Sequence, residues 1–215
     1  VLLAALLAPA GGCRPAALPT ALPPEAASPP PTPPAASQPL TPALTAELLA
    51  TIGAGQAAPL QALPVADPVS GGTLWVAFTT GPAGDAHPQH TVALYARAAE
   101  GWREVGRLVL AGPPILAEDA VAPIAFAPGR LWLAVHGRSG LIGPCCYDLL
   151  SYDGTALRNE LSLAERTLER VETGVDAEGR WRVAITVRPW SGANNTPAPA
   201  YTRVFYWDGQ RMVER

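Results

Sequence analysis

Gly129-Arg130-Leu131-Trp132-Leu133-Ala134-Val135 decides the fold, because the chain contains it three times in altered form. Upstream stands Gly72-Thr73-Leu74-Trp75-Val76-Ala77-Phe78, and downstream Gly179-Arg180-Trp181-Arg182-Val183-Ala184-Ile185. Each copy sets a glycine turn ahead of aromatic and branched residues that end in a hydrophobe-Ala-hydrophobe triplet. Such residues favour a pleated, partly buried strand. A second family of turns interleaves with the first: Glu100-Gly101, Asp153-Gly154 and Asp208-Gly209, each flanked by β-formers. An acidic residue followed by glycine between such runs is a strong hairpin signal, since primed turns need positive φ. The first-turn glycines are 57 and 50 residues apart and the second-turn glycines 53 and 55. A period near fifty marks a repeat architecture.

The expected fold is therefore all-β, with about three four-stranded antiparallel meanders. They are propeller-blade-like or form a curved sheet, and a disordered Pro-rich tether precedes them. The first unit (about 60–110) holds strands at 63–69, 74–79, 91–97 and 102–110. The second (about 120–163) holds 122–127, 131–135, 146–152 and 155–163. The third (about 170–215) holds 170–175, 181–187, 201–207 and 210–214. Residues 164–172 also carry enough Ala, Leu, Glu and Arg for a helical turn.

The N-terminal portion has a different chemistry. Residues 14–44 contain eleven prolines and only two charges, Arg14 and Glu25, too little apolar surface to offset the entropy of ordering. The run 41–50 reads as a short helix, with Thr41 as its cap, Pro42 in the first turn and Gly53 ending it. Ahead of these lies Val1-Leu2-Leu3-Ala4-Ala5-Leu6-Leu7-Ala8, then Pro9-Ala10-Gly11-Gly12-Cys13. An apolar run ending in small residues has the shape of an export signal. The expected organisation is a truncated signal at 1–12, a lipidated Cys13 with a Pro/Ala-rich linker and short helix over 13–55, and the β-repeat domain at 56–215.

The Cys after Ala-Gly-Gly resembles the lipobox of bacterial lipoproteins, with Ala10 where that family usually has Leu. The resemblance implies lipid on Cys13, an extracytoplasmic location and a partner in the bacterial cell membrane. Asp176-Ala177-Glu178-Gly179-Arg180 together with Tyr206-Trp207-Asp208-Gly209 is similar to the FG-GAP/VCBS-type repeats of bacterial surface proteins. In that family an Asp-rich loop often holds Ca²⁺. Here only Asp176 and Glu178 remain of it, and neither other unit has an equivalent, so no metal or other cofactor is expected.

The net charge is −3, with no basic stripe, which argues against nucleic acid as a partner. No catalytic signature for a serine hydrolase, zinc protease or phosphate loop is present. The unusual residues fall between the second and third strands of each unit, over 80–90, 136–146 and 188–200, which places them on one side of a repeat array. Trp190 stands among Pro189, Ser191 and Gly192 and suits stacking on a ligand. His136, Arg138, Arg188 and Asn194 complete the tentative binding set. Asp85, His87 and His90 are read as solvated loop residues rather than metal ligands. Cys145 and Cys146 are each other's nearest partners, and a strained vicinal disulfide is one of their two readings, separate thiols the other. The expected function is a non-catalytic binding module for a protein, peptide or glycan. The alternative is an extracytoplasmic hydrolase or redox enzyme with His87, His136 and Arg188 around a pocket.

Overall fold

A computed structural model describes residues 42–52, 59–80, 89–111, 120–139, 143–164, 167–191 and 196–215. Cys13, the prolines ahead of Pro42, Asp85, His87 and Asn194 lie outside these residues. All twelve expected strands are present. The first sheet holds β1 (Pro59–Ala66), β2 (Thr73–Thr80), β3 (Gln89–Ala98) and β4 (Gly101–Ala111), in that order. The second holds β5 (Val121–Ile124), β6 (Leu131–Ser139), β7 (Gly143–Tyr152) and β8 (Leu157–Ala164). The third has β9 (Leu168–Val175), β10 (Trp181–Val187), β13 (Tyr201–Trp207) and β14 (Met212–Glu214). Between β10 and β13 a two-stranded hairpin is inserted, β11 (Trp190–Ser191) on β12 (Thr196–Pro197). The helical option near 164–172 is not taken: Leu168 onward pairs with β10, where Leu168 and Val171 join the interface core.

The turn glycines explain the spacing. Gly129 and Gly179 sit at φ of 78° and 79°, a conformation that side-chain-bearing residues rarely adopt. In the first copy the left-handed residue is Gly71, one position earlier than the sequence alignment suggests.

Several of these hairpin turns are closed by an aspartate. Asp153 Oδ1 accepts from the backbone N–H of Thr155 and Ala156 and from the Thr155 hydroxyl, while Oδ2 takes the Arg158 guanidinium at 2.5 Å. Asp208 accepts from the N–H of Gln210 and Arg211, and Asp67 from Val69. The Thr155 hydroxyl, the two backbone donors and Arg158 hold the Asp153 carboxyl well below the usual range. The backbone donors of Arg211 and Gln210 likewise depress Asp208. A carboxylate depressed in the folded state contributes stability above its unfolded pKa, about 3.9, and loses it as pH falls through the folded value. Stability measured from pH 7 to pH 2 should therefore fall below about pH 4. The D153N variant, which keeps the turn acceptor but not the charge, should show a shallower decline; an unchanged slope would remove Asp153 from the cause.

The three sheets stack through two apolar layers. Leu74, Val76 and Phe78 of β2 meet Leu131, Leu133 and Val135 of β6 in the first layer. Trp132 and Ala134 of β6 meet Val183, Ile185 and Val187 of β10 in the second. The repeats are alike within each sheet but not in how they face. In the second sheet the Leu131 side points back to the first sheet and the Trp132 side forward. In the first sheet the matching Leu74 side points forward, and the Trp75 side points away from the stack.

That outward side is covered by α1 (Pro42–Ile52), the helix read from Thr41 to Gly53 and assigned to the linker. Leu48 and Ile52 pack on Trp75, Ala77, Ala93 and Tyr95, and Arg97 pairs with Glu47 at 3.3 Å. Eleven residues are too short for a stable isolated helix in water, so this contact is what holds it. Leu48 is only 1% exposed, and L48A should cost about 2 kcal/mol by loss of a buried side chain. Hydrogen exchange should show the loss concentrated in α1; uniform destabilisation of all three sheets would argue against a separately docked cap. At the other end of the stack the outward side of the third sheet is polar. Arg170 pairs with Glu172, and Tyr206 lies under Arg180.

Candidate functional site

In a meander, the β1–β2, β3–β4, β5–β6 and β7–β8 turns lie at one end of the strands. Contacts place the ends together. Val69 of the β1–β2 turn lies against Gly154 of the β7–β8 turn, so tightly that a Cβ on Gly154 would approach it at 2.8 Å. Phe126 and Trp132 meet Trp181 and Trp207 at ring distances of 5.5 and 5.0 Å, joining the second and third sheets at the same hairpin end. The connections β2–β3, β6–β7 and β10–β13 leave each sheet at the opposite end.

That opposite end differs from expectation in the middle unit. The loop expected over 136–146 is mostly strand: β6 runs to Ser139 and β7 starts at Gly143, leaving only 140–142 between them. A register shift makes the extension fit. Gly137 pairs with Cys146 and Arg138 with Pro144, so Cys145 is the extra residue of a β-bulge. His136, Arg138 and Cys145 are thus strand residues, not loop residues, and Cys146 lies in β7 as the expected strand 146–152 has it.

His136 is exposed and edge-on to Tyr147 at 5.2 Å, and burial of its surroundings holds its pKa below the ordinary value. Arg138 lies on the same strand end, paired with Pro144. Cys145 and Cys146 are both buried free thiols with their sulfurs 2.9 Å apart, so the vicinal bridge is not formed here. Burial, then the neighbouring Cys145 and Asp148, push the Cys146 thiol well above its usual range.

Arg188 is exposed and ion-paired. Its Nε is 2.5 Å from Glu169 Oε1, its backbone N–H donates to Thr167 O at 3.1 Å, and its carbonyl accepts from the Thr167 hydroxyl. Trp190 belongs to the inserted hairpin rather than to an irregular loop. His90 is a strand residue. It was expected in a solvated loop, but β3 begins at Gln89, so His90 shares the alternating inward side of Val92 and Leu94. It is fully buried and stacked on Phe78 at 5.7 Å.

Two features escaped sequence reasoning. Tyr201 opens β13 opposite Val187 and is 45% exposed, so it leaves a large ring in solvent at that strand end. Its signal was its position just after the 188–200 segment, at the first residue of the next strand. Tyr147 is buried, and its hydroxyl has no hydrogen-bond partner among the described residues. Burial, with Asp148 nearby, raises its pKa. Nothing in the sequence distinguishes it from any other strand tyrosine.

The Asp176 turn is filled by protein. Its Oδ1 accepts from the N–H of Glu178 and Arg180, and Oδ2 takes the Arg180 guanidinium. Among the described residues no group of three or more His, Cys, Asp and Glu side chains is arranged to hold a metal ion. Nor is any helix there long and apolar enough to cross a membrane. Comparison with family models, curated proteins and solved structures found no match for this chain.

Proposed function

We propose that this chain is a lipid-anchored extracytoplasmic protein of a bacterial cell membrane, with the three-sheet stack as a non-catalytic binding module. The lipobox-like Ala-Gly-Gly-Cys13 after an apolar run and the proline-dense segment that follows support the anchor. Several acyl chains at about 0.8 kcal/mol per buried CH₂ would make the attachment effectively permanent. The binding surface lies at the end opposite the hairpin turns, and its centre is the β10–β13 connection, with exposed Tyr201 beside the Trp190 hairpin.

One observation carries the surface assignment: the two ends of the stack are built differently. The hairpin end is closed by Asp-headed turns and interlocking aromatics and leaves the aliphatic Val69 and Val175 exposed, whereas the opposite end leaves the ring of Tyr201 and His136 in solvent. An exposed aromatic ring suits a peptide or the face of a sugar. The enzyme alternative required His87, His136 and Arg188 around a pocket. Arg188 is already ion-paired with Glu169, which weakens that reading.

Intact-mass analysis of the protein from its own host's membranes tests the anchor. A mature N-terminus at Cys13 carrying diacylglyceryl and acyl mass is expected; soluble, unmodified protein would overturn it. For the surface, Y201A and W190A should each lower retention on isolated envelope material while leaving the circular dichroism unchanged.

A further inference from the structure

We infer that Cys145 and Cys146 form a thiophilic binding site, a bulge-built dithiol that takes a trivalent metalloid of the arsenite class through both sulfurs. Successive side chains of a regular strand point to opposite faces of the sheet, which keeps neighbouring sulfurs apart. At the bulge two residues of β7 stand against Gly137 alone, and the two thiols turn towards each other. The two sulfurs are in contact, 2.9 Å apart, which favours a ligand that needs a short bite.

Different centres demand different bites. A tetrahedral zinc with Zn–S bonds of about 2.3 Å needs sulfurs about 3.8 Å apart, and a linear two-coordinate ion about 4.6 Å. A pyramidal centre with bonds of roughly that length and angles near 90° needs only about 3.3 Å. The third kind fits with the least movement. It also needs only two protein ligands, its remaining position being filled by its own substituent. This agrees with the absence of a third ligating His, Cys, Asp or Glu side chain among the described residues.

The chemistry of the surroundings points the same way. Both sulfurs are buried. Condensation with a trivalent arsenical needs no oxidant. R–As(OH)₂ and two thiols give R–As(S–Cys)₂ and two waters. Two As–O bonds break, two As–S bonds form, and each thiol proton leaves on a departing oxygen. The product is uncharged, as a buried site prefers.

The test uses the full chain, reduced, with phenylarsine oxide in its hydrated form as the probe. Intact mass should show one adduct per chain, equal to the reagent less two waters, that survives excess monothiol and is removed by a dithiol. C145S and C146S should each lose the probe to monothiol roughly 10²–10⁴-fold faster, because the second bond is no longer intramolecular. C13S should behave as wild type. Peptide mapping of the wild-type adduct should show both Cys145 and Cys146 protected from alkylation, a readout independent of how the variants fold. The inference is overturned if reduced wild-type protein takes up no arsenical, if monothiol strips it as readily as from the single variants, or if zinc occupies the pair more tightly.

Discussion

Replacing Trp132 by alanine should destabilise the protein by about 3–5 kcal/mol, the range for deleting a large buried aromatic. Trp132 is 1% exposed and lies in the apolar layer between the second and third sheets. Its ring meets Phe126 edge-on at 4.8 Å and Trp207 at 5.0 Å. Its indole N–H donates to the Ala127 carbonyl at 2.7 Å, across the tight turn that contains Gly129. Alanine would leave a cavity, orphan that buried carbonyl and uncouple the β5–β6 turn from the third sheet. Urea denaturation followed by circular dichroism measures the effect. W132F, which keeps the apolar ring but not the donor, should recover a large part of the loss. If W132A cost less than about 1 kcal/mol, the cavity argument would fail and the two sheets would have to be held mainly by other contacts.

Glu160 is expected to be the most sensitive charged position. Its carboxylate accepts from the Ser151 hydroxyl at 2.6 Å and from Arg130 at 3.3 Å, and only 8% of its side chain is exposed. The Arg130 guanidinium also lies 5.0 Å over the ring of Trp207, so one cation bridges two sheets. Removing one partner of a buried pair costs about 3–5 kcal/mol, because a charge is left without compensation. Arg130 keeps 22% exposure and can turn partly to water, so E160A is expected to cost about 2–3 kcal/mol. The paired replacement R130M/E160L removes both charges and should restore most of that loss, since an apolar pair of similar volume is often neutral. Equal destabilisation of the single and paired variants would mean that packing, not the uncompensated arginine, carries the cost.

The reliability of the strand assignment has a local cause. Alternation, glycine turns and acidic-glycine hairpins act over a few residues, so Gly129 and Asp153 announce their turns without knowledge of the rest of the chain. Asp153 and Asp208 also explain themselves, because each carboxylate bonds the backbone two or three residues on. His90 was misplaced because the start of β3 is set by pairing with Thr80 and Leu110, which are distant in sequence or across a long connection. The β6–β7 connection was drawn too long for a related reason. Period-two patterning has no signature for a bulge, and the pairing of His136 with Tyr147 and of Gly137 with Cys146 carries the strand past Val135 before Cys145 shifts the register.

The sequence alone determined the all-β class, the three meanders and the helix ahead of them, since each follows from short-range periodicity and turn chemistry. It also singled out Cys13, Cys145, Cys146 and Trp190 by residue type. Only the tertiary structure decided which side of each sheet faces which neighbour. The Leu74 side turns forward in the first sheet while the Leu131 side turns back in the second, and both patterns are equally apolar in the sequence. It likewise decided that α1 covers Trp75, that Glu169 holds Arg188, and that two adjacent sulfurs lie on the same side of β7. Those outcomes depend on pairing register and on which apolar surface finds another. No single segment contains that information.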